Sequence, residues 1–105
     1  ERYDWLSPAI LRFIRRIVDA CGAAKVPVTV CGEMGGRTLE AMALLALGID
    51  RLSITPAAVA PVKAMVRSLD LDMAKAAMHD WLANPPRDLR TCLIDWAREN
   101  GVDIG

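Results

Sequence analysis

The residues with the clearest chemical potential are a cysteine and the glycines that follow it. Cys31 ends the apolar run of residues 26–30, and Gly32, Gly35 and Gly36 come soon after it. Glycine allows the backbone to turn sharply and to approach a ligand closely. Cys31 is therefore a candidate catalytic residue, although a cysteine at a strand end is more often a small buried hydrophobic side chain.

The other reactive side chains have simpler interpretations. Glu33, in the glycine-rich loop, is as compatible with a ligand contact as with a solvent-facing position. His79 has no partner histidine, which favours a surface position, whereas Cys21 and Cys92 lie on apolar helical stripes that predict core positions. Three widely spaced cysteines and one histidine form neither a disulfide framework nor a zinc site.

The element that positions Cys31 is predicted to be a buried strand. Residues 26–31 are a short run rich in β-branched side chains. Side chains alternate across a strand, so Val28 and Val30 face one way while Thr29 and Cys31 face the other. The aliphatic face suits packing against helices, and the smaller, more polar face suits the interior of a barrel. Barrels of (β/α) type place catalytic groups at the carboxyl ends of their strands, which is where Cys31 lies.

Helices are predicted on both sides of this strand, and residues 52–54 are predicted to form a second one. Helix starts are indicated at Ser7-Pro8, Thr38, Thr55-Pro56 and Asp70, a helix end at Gly22, and a break at residues 84–86. The order α-β-α-β-α-α-α predicts an α/β fold with two parallel strands joined by a right-handed crossover. Because a two-stranded parallel sheet exposes both edges, we expect a larger α/β architecture or pairing with another chain.

Composition and charge exclude several classes of function. The chain has 105 residues, enough for one compact domain, and its formal net charge is zero. No overall field would therefore draw it to nucleic acid or to an anionic membrane. A small basic patch at Arg12, Arg15 and Arg16 is interpreted as a solvated helix face. With no membrane-length apolar run and no signal-peptide pattern, we expect a cytoplasmic location.

An ordered series of motifs resembles a known family. The series is Cys31-Gly32-Glu33-Met34-Gly35-Gly36, then Leu47-Gly48-Ile49, then Leu52-Ser53-Ile54-Thr55-Pro56. It resembles the end of the phosphoenolpyruvate-binding barrel of enzyme I of the bacterial phosphotransferase system, a barrel shared with pyruvate phosphate dikinase and phosphoenolpyruvate synthase. Residues 3–9 are similar to the enzyme I segment that leads into its penultimate barrel helix. Residues 3–13 and 52–71 are similar to the nitrogen-regulatory branch, which carries a GAF sensor domain.

The resemblance implies a fold and an activity. Residues 1–69 would be the last βα units of a (β/α)8 TIM barrel, and residues 70–105 a C-terminal helical extension. The complete protein would move the phosphoryl group of phosphoenolpyruvate to one of its own histidines and on to a histidine phosphocarrier protein. In this family the cysteine that matches Cys31 protonates the enolate of pyruvate. Gly32 and Glu33 would shape the wall beside the substrate.

The resemblance also implies that part of the machinery lies elsewhere. The acidic ligands for magnesium and the arginines for phosphate and carboxylate belong to earlier strands of the family's barrel. We therefore expect an upstream part before Glu1, no metal ligand within the 105 residues, and no catalysis by these residues alone. Arg37 stands where the family often has an aspartate, which leaves the role of the distal loop open.

An association function is the main alternative. Enzyme I forms homodimers through its C-terminal domain, and exposed sheet edges invite pairing. Trp81 and Trp96 are candidate anchors because tryptophan is enriched at interface hot spots, although ordinary helix packing is the simpler interpretation. A relative of the dikinase or synthase type is the other alternative. The helices predicted beyond residue 70 favour enzyme I over it.

Overall fold

A computed structural model describes residues 4–105, apart from the side chains of Glu33 and Met34. The elements are α1 (Pro8–Ala23), β1 (Thr29–Cys31), α2 (Glu33–Gly36), α3 (Thr38–Ala46), β2 (Arg51–Ser53), α4 (Pro56–Ser68), α5 (Leu71–Ala83) and α6 (Leu89–Glu99). The predicted α/β class and element order are confirmed, with one addition. The glycine-rich loop contains the short helix α2, which the sequence analysis missed.

The two strands pair in parallel. Thr29, Val30 and Cys31 lie opposite Arg51, Leu52 and Ser53 respectively. The predicted alternation is confirmed, because Val30 and Leu52 pack against the core while Cys31 and its neighbours on the same face are exposed. The prediction of a buried strand over residues 26–31 is wrong in extent. Since β2 offers partners for three residues, the strand begins at Thr29, and Val26 is 52% exposed.

Three of the four predicted helix starts are confirmed, since Ser7, Thr55 and Asp70 are N-cap residues, and two of them cap with their side chains. The Ser7 side chain accepts a hydrogen bond from the Ile10 backbone N–H at 3.3 Å, and Asp70 accepts one from Met73 at 3.2 Å. Helix α3 differs, because its N-cap is Arg37 and Thr38 is already helical. The Thr38 hydroxyl does not cap the helix. It donates a hydrogen bond to the Ile104 carbonyl at 2.7 Å and so links α3 to residues near the C-terminus.

Helix α1 ends in a Schellman motif rather than at Gly22, which lies inside the helix. Lys25 takes the left-handed conformation, with a φ of 58°. Its N–H donates to the Gly22 carbonyl at 3.1 Å, and the N–H of Val26 donates to Cys21 at 2.8 Å. The same pair of bonds ends α3, where Gly48 is the left-handed residue at a φ of 106°.

The core is one hydrophobic cluster centred on α3, which packs against α4, α5 and α6. Fully buried side chains from both halves of the chain meet in it: Leu6, Leu11, Met42, Leu44, Met65, Met78 and Leu93. Trp81 and Trp96 pack edge to face, with ring centroids 6.2 Å apart and planes at 87°. This contact agrees with the helix-packing interpretation of the two tryptophans.

The remaining candidates from the sequence lie near the surface. His79 is exposed, as predicted. Cys21 and Cys92 are half-buried, which is less than the predicted core positions. Between residues 4 and 105, no helix combines the length and the apolar character needed to cross a membrane.

Candidate functional site

A cleft of about 530 Å³ lies beyond the carboxyl ends of the two parallel strands. Ligands of open α/β sheets bind at this edge, and pockets for small ligands typically measure about 300–1,000 Å³. The lining comes from β1, the loop after it, β2 and the start of α4: Cys31, Gly32, Gly36, Arg37, Ser53, Ile54, Thr55 and Ala58. The cleft is thus large enough for a small metabolite.

Cys31 lies on the wall of this cleft, where the sequence predicted a reactive residue. It is the last residue of β1 and faces away from the core, opposite Ser53 on β2. Its side chain is exposed, contrary to the usual burial of a cysteine at a strand end. The reason is that no element among residues 4–105 covers this face of the sheet, so its thiol is accessible to a ligand.

Gly32 forms the turn out of β1 and lines the cleft beside the thiol. Its φ is +99°, a conformation that L-amino-acid side chains rarely adopt, while the space around it is open. Glycine is therefore required here by the backbone and not by a close neighbour. The turn directs the chain into α2 immediately after Cys31.

Helix α2 rests on the second strand through its glycines. The position of a Cβ on Gly35 would lie 3.5 Å from Leu52 and 3.6 Å from Ile54, which is ordinary contact distance. Gly36 is similarly close to Ala58 of α4, at 3.5 Å. A methyl group would therefore fit at both positions, so the packing of α2 on β2 and α4 calls for small residues but not for glycine. The side chain of Glu33, predicted to contact substrate, lies outside the described residues.

The start of helix α4 forms the opposite wall of the cleft. Thr55 is its N-cap residue, and the Thr55 side chain makes no capping hydrogen bond. Both Thr55 and Ala58 line the cleft, so the amino end of a 13-residue helix borders it. The positive end of a helix dipole favours anions nearby.

Arg37, noted in the sequence only as a departure from the family, is a charged residue of the cleft wall. Its Nη1 lies 3.7 Å from Oε2 of Glu40, whose side chain is 4% exposed. Arg90 of α6 donates to the same Glu40 oxygen at 3.1 Å and to Oδ1 of Asp4 at 2.8 Å. These four residues are here called the charge cluster, which adjoins the cleft through Arg37.

Within the charge cluster, Asp4 and Arg90 each stabilise the charged form of the other. The hydrogen bond from Arg90 holds the pKa of Asp4 below its ordinary value, and the same bond raises the pKa of Arg90. Reasoning from the sequence missed the cluster, although one signal was present. Glu40 interrupts an otherwise apolar helical run, which is unusual for a charged residue unless it has partners.

The described residues do not fit a metal ion. No group of three or more histidine, cysteine, aspartate or glutamate side chains comes together within residues 4–105, leaving aside Glu33. Hard cations such as magnesium need several oxygen ligands, at least one or two of them carboxylates or phosphates. The cleft by itself therefore offers a thiol, hydroxyls and a guanidinium, and not a metal site.

The predicted basic patch has a structural explanation in part. Arg12 donates from Nε and Nη2 to the Leu82 carbonyl, at 3.1 and 2.6 Å, and so satisfies the end of α5. Arg15 lies 3.8 Å from Asp19 of the same helix. These contacts agree with the interpretation of the patch as an ordinary helix face.

Comparisons with known proteins agree with the motif series. A family profile described as "PEP-utilising enzyme, PEP-binding domain" matches residues 1–71. The chain is 35% identical over 65 residues to the phosphoenolpyruvate-protein phosphotransferase of Borreliella burgdorferi, a match that covers 62% of this chain and 11% of that protein. It is 37% identical over 67 residues to the phosphoenolpyruvate-protein phosphotransferase of Geobacillus stearothermophilus, covering 64% and 12%.

A third relative extends the similarity into the C-terminal helices. The multiphosphoryl transfer protein of Rhodobacter capsulatus is 36% identical over 94 residues, a match that covers 86% of this chain and 11% of that protein. The chain thus spans about a tenth of the length of the curated relatives that it matches.

Proposed function

Because this chain belongs to the family of PEP-utilising enzymes, as part of their PEP-binding domain, we propose that it works within a phosphoenolpyruvate-protein phosphotransferase. The names of the relatives support this activity over that of a dikinase or synthase. Since the chain spans about a tenth of those relatives, the reaction is proposed for a longer polypeptide that contains these residues.

The observation that carries the proposal is the exposed Cys31 thiol in a cleft at the carboxyl ends of the strands. In the proposed reaction, the bond between phosphorus and the enol oxygen of phosphoenolpyruvate breaks, and a bond to an enzyme histidine forms. The leaving group is the enolate of pyruvate. Cys31 gives its thiol proton to the methylene carbon of that enolate, and the thiolate then regains a proton from water. The phosphoryl group passes from the histidine to a histidine phosphocarrier protein.

The surrounding residues are proposed to shape the site. Gly32 turns the chain away beneath the substrate, and Glu33 is proposed to contact it. Magnesium is proposed to bind at acidic ligands outside residues 4–105, since the described side chains do not fit it. The step proposed for Cys31 does not pass through the metal.

For the fold, we propose that β1 and β2 are neighbouring strands of a (β/α)8 TIM barrel. Their parallel pairing supports this, as do the half-buried side chains on one face and the exposed Cys31 and Ser53 on the other. The exposed face would then line the barrel interior near its mouth. Residues 1–69 would contribute the last βα units, and residues 70–105 the helical extension.

The partners and location remain proposals of the same kind. They are phosphoenolpyruvate, a histidine phosphocarrier protein, and a second copy of the protein joined through the C-terminal domain, in the cytoplasm. The nitrogen-regulatory, GAF-containing branch is the proposed subfamily. We propose neither nucleic acid nor a membrane as a partner, because the formal net charge of the chain is zero.

The test is pyruvate release from phosphoenolpyruvate by the full-length protein, with magnesium and a phosphocarrier, in wild type and Cys31→Ala. A positioned general acid contributes about 100- to 10,000-fold, so the variant should lose turnover by that factor. Cys92→Ala is the matched control, because it removes a half-buried thiol from α6 and should keep wild-type turnover.

A Cys31→Ala variant that turned over as fast as wild type would remove the acid role. An association function would then move ahead, favoured by the open edges of the two-stranded sheet. Sedimentation would test it directly, since a folded monomer at every concentration contradicts association.

A further inference from the structure

A serine on the second strand lies directly beside the proposed proton donor. Ser53 is the last residue of β2, and the parallel register sets it opposite Cys31, the last residue of β1. Both residues are exposed on the same face of the sheet, and both line the cleft. Because neighbouring strands lie about 4.8 Å apart, the hydroxyl and the thiol are next to each other where the strands end.

The Ser53 hydroxyl is not used by the fold of the described residues. The other two serines of the chain bind backbone groups: Ser7 caps α1, and Ser68 donates to the Met65 carbonyl. Among residues 4–105, neither Ser53 nor Cys31 takes part in a side-chain hydrogen bond. The Ser53 hydroxyl is therefore available to a group in the cleft.

The proposed reaction creates a negative charge beside this hydroxyl. When Cys31 gives its proton to the enolate, a thiolate is left in the cleft. Hydrogen bonds to an ionised acceptor are roughly twice as strong as those between neutral groups, and a thiol is only a weak acceptor. A donor at this point thus stabilises the thiolate more than the thiol, and a bond that strengthens during the reaction lowers its barrier.

We propose that Ser53 is a positioning residue, whose hydroxyl donates a hydrogen bond to the Cys31 thiolate that forms when the enolate takes the proton. The hydroxyl keeps its own proton, no covalent bond to Ser53 forms or breaks, and the thiolate regains its proton from water. Each side chain has one rotatable bond between Cα and Cβ, with three staggered positions, so the two groups can meet without a change in the backbone. The inference rests on the proposed function, because that reaction creates the thiolate.

The first test is pyruvate release by the full-length protein at varied phosphoenolpyruvate concentration, with magnesium and phosphocarrier present. Ser53→Ala should lower kcat about 10-fold and leave the KM within about threefold, since the bond lost is to the thiolate and not to bound substrate. Ser53→Thr keeps a hydroxyl and should restore kcat to within about threefold of the wild type. A raised KM with an unchanged kcat in Ser53→Ala would overturn the proposal.

A double variant tests whether Ser53 acts through the thiol. In a Cys31→Ala background, Ser53→Ala should have no further effect, because the group that it assists is already gone. A further loss of turnover in the double variant would mean that Ser53 contacts the substrate itself, which contradicts the proposed role.

A second measurement needs no turnover. Iodoacetamide reacts with the thiolate, so its rate at Cys31 in the folded 105-residue chain reports how readily the thiol ionises. At pH 7.5 Ser53→Ala should react about threefold more slowly than the wild type, and the two rates should converge at pH 10. The charged side chains around Cys31, leaving aside Glu33, are Arg37 of the cleft lining and Arg51 of β2, and both are the same in the two chains.

The matched control is Thr29→Val, which removes a hydroxyl at nearly constant shape. Thr29 is exposed on the same face of β1 as Cys31, but it lies two residues earlier, opposite Arg51 and away from the cleft. This variant should keep the wild-type kcat and alkylation rate. Equal changes in Thr29→Val and Ser53→Ala would remove any special role of Ser53.

The outcomes separate this inference from the proposed function. If Cys31→Ala loses turnover while Ser53→Ala matches the wild type in kcat and in alkylation rate, the function stands and the role of Ser53 is overturned. If the wild-type protein releases no pyruvate, the proposed function fails, and the inference is overturned with it, whatever the alkylation rates.

Discussion

At the scale of single residues, the sequence was most informative about Cys31. Its place at a strand end and on the polar face follows from the two-residue period of a strand, which needs no tertiary information. The setting of Arg37 could not be predicted in this way. It depends on Glu40, Arg90 and Asp4, and the last two are separated by 86 residues in the chain. Only the tertiary fold shows that Glu40, the acid near Arg37, is buried and bound by Arg90.

Exposure predicts an order of reactivity among the three thiols. Cys31 is exposed, while Cys21 and Cys92 are half-buried, so a thiol reagent should modify Cys31 first in the folded 105-residue chain. Brief treatment with iodoacetamide followed by peptide mass spectrometry measures this order. In urea the three thiols should react at similar rates. Earlier modification of Cys21 or Cys92 in the folded chain would contradict the described position of Cys31.

The Asp4–Arg90 pair predicts a loss of stability in acid. The pKa of Asp4 is lowered in the folded state by its hydrogen bond from Arg90. The pair therefore stabilises the fold above the ordinary aspartate pKa of about 3.9, and this stabilisation is lost as the pH falls through the lower folded value. The Asp4 side chain is 42% exposed, so we expect a contribution of about 1 kcal/mol or less.

Urea unfolding at pH 7 and pH 3 measures this contribution. Asp4→Asn should lose stability at pH 7 and show a smaller difference between the two pH values than the wild type. Asp95→Asn, at an exposed position of α6, is the control and should leave that difference unchanged. An equal pH dependence in the wild type and Asp4→Asn would mean that the pair contributes nothing.

At the scale of helices and strands, starts were easier to predict than ends. Ser7 and Asp70 act as caps because their short side chains reach back to the backbone, a local rule that the sequence displays. The end of α1 escaped prediction because its left-handed residue is a lysine. The sequence predicted the helix end at Gly22, because glycine commonly follows the last turn of a helix. Glycine is also tolerated inside a helix, at a cost of about 1 kcal/mol relative to alanine.

Lys25→Gly should stabilise the chain. The φ of Lys25 is 58°, where a side chain costs about 1–2 kcal/mol, and glycine adopts that conformation freely but loses more entropy on folding. We expect a net gain of about 0.5–1 kcal/mol in the free energy of unfolding, measured in urea. Ala24→Gly is the control, since Ala24 has a right-handed conformation and should lose stability on the same change. A destabilised Lys25→Gly variant would contradict the assigned conformation.

Gly48→Ala and Gly22→Ala should have opposite effects on stability. Gly48 has a φ of +106°, and a Cβ there would lie 3.3 Å from Cγ1 of Val18, so alanine should cost about 1–3 kcal/mol. Gly22 lies inside α1 with nothing within 4 Å of its Cβ position, so alanine should add about 0.5–1 kcal/mol. Thermal unfolding of both variants makes the comparison, and a common sign would contradict it.

At the scale of the whole molecule, the C-terminal helices share one core with the rest of the chain. Met78 of α5 and Leu93 of α6 lie in the same cluster as Leu11 and Leu44. The sequence predicted these helices but not their packing on α3. An apolar stripe shows which side of a helix is buried, but it does not identify the helix or strand that covers it. The assignment of residues 1–69 to a barrel and of residues 70–105 to a helical extension therefore stays a prediction.

The 105-residue chain alone should neither release pyruvate nor bind phosphoenolpyruvate tightly. Its cleft is lined by a thiol, two hydroxyls and one guanidinium, and residues 4–105 bring together no metal-binding group, leaving aside the undescribed Glu33 side chain. A pyruvate assay and calorimetric titration with phosphoenolpyruvate and magnesium measure both points. Turnover by this chain would show that the family's remaining residues are dispensable.

The contact between Asp4 and Arg90 also bears on the order in which the cleft is completed. The hydrogen bond between Asp4 and Arg90 joins residues that are 86 positions apart in the chain. Because closing a longer loop costs more entropy, contacts of this range form late in folding. The strand that carries Cys31 pairs with β2 across only 22 positions. During synthesis, the thiol can thus reach its place before α6 has left the ribosome. The link from Arg90 to Glu40 forms only once α6 is present, so the chain completes the strand that carries Cys31 before it completes the charge cluster.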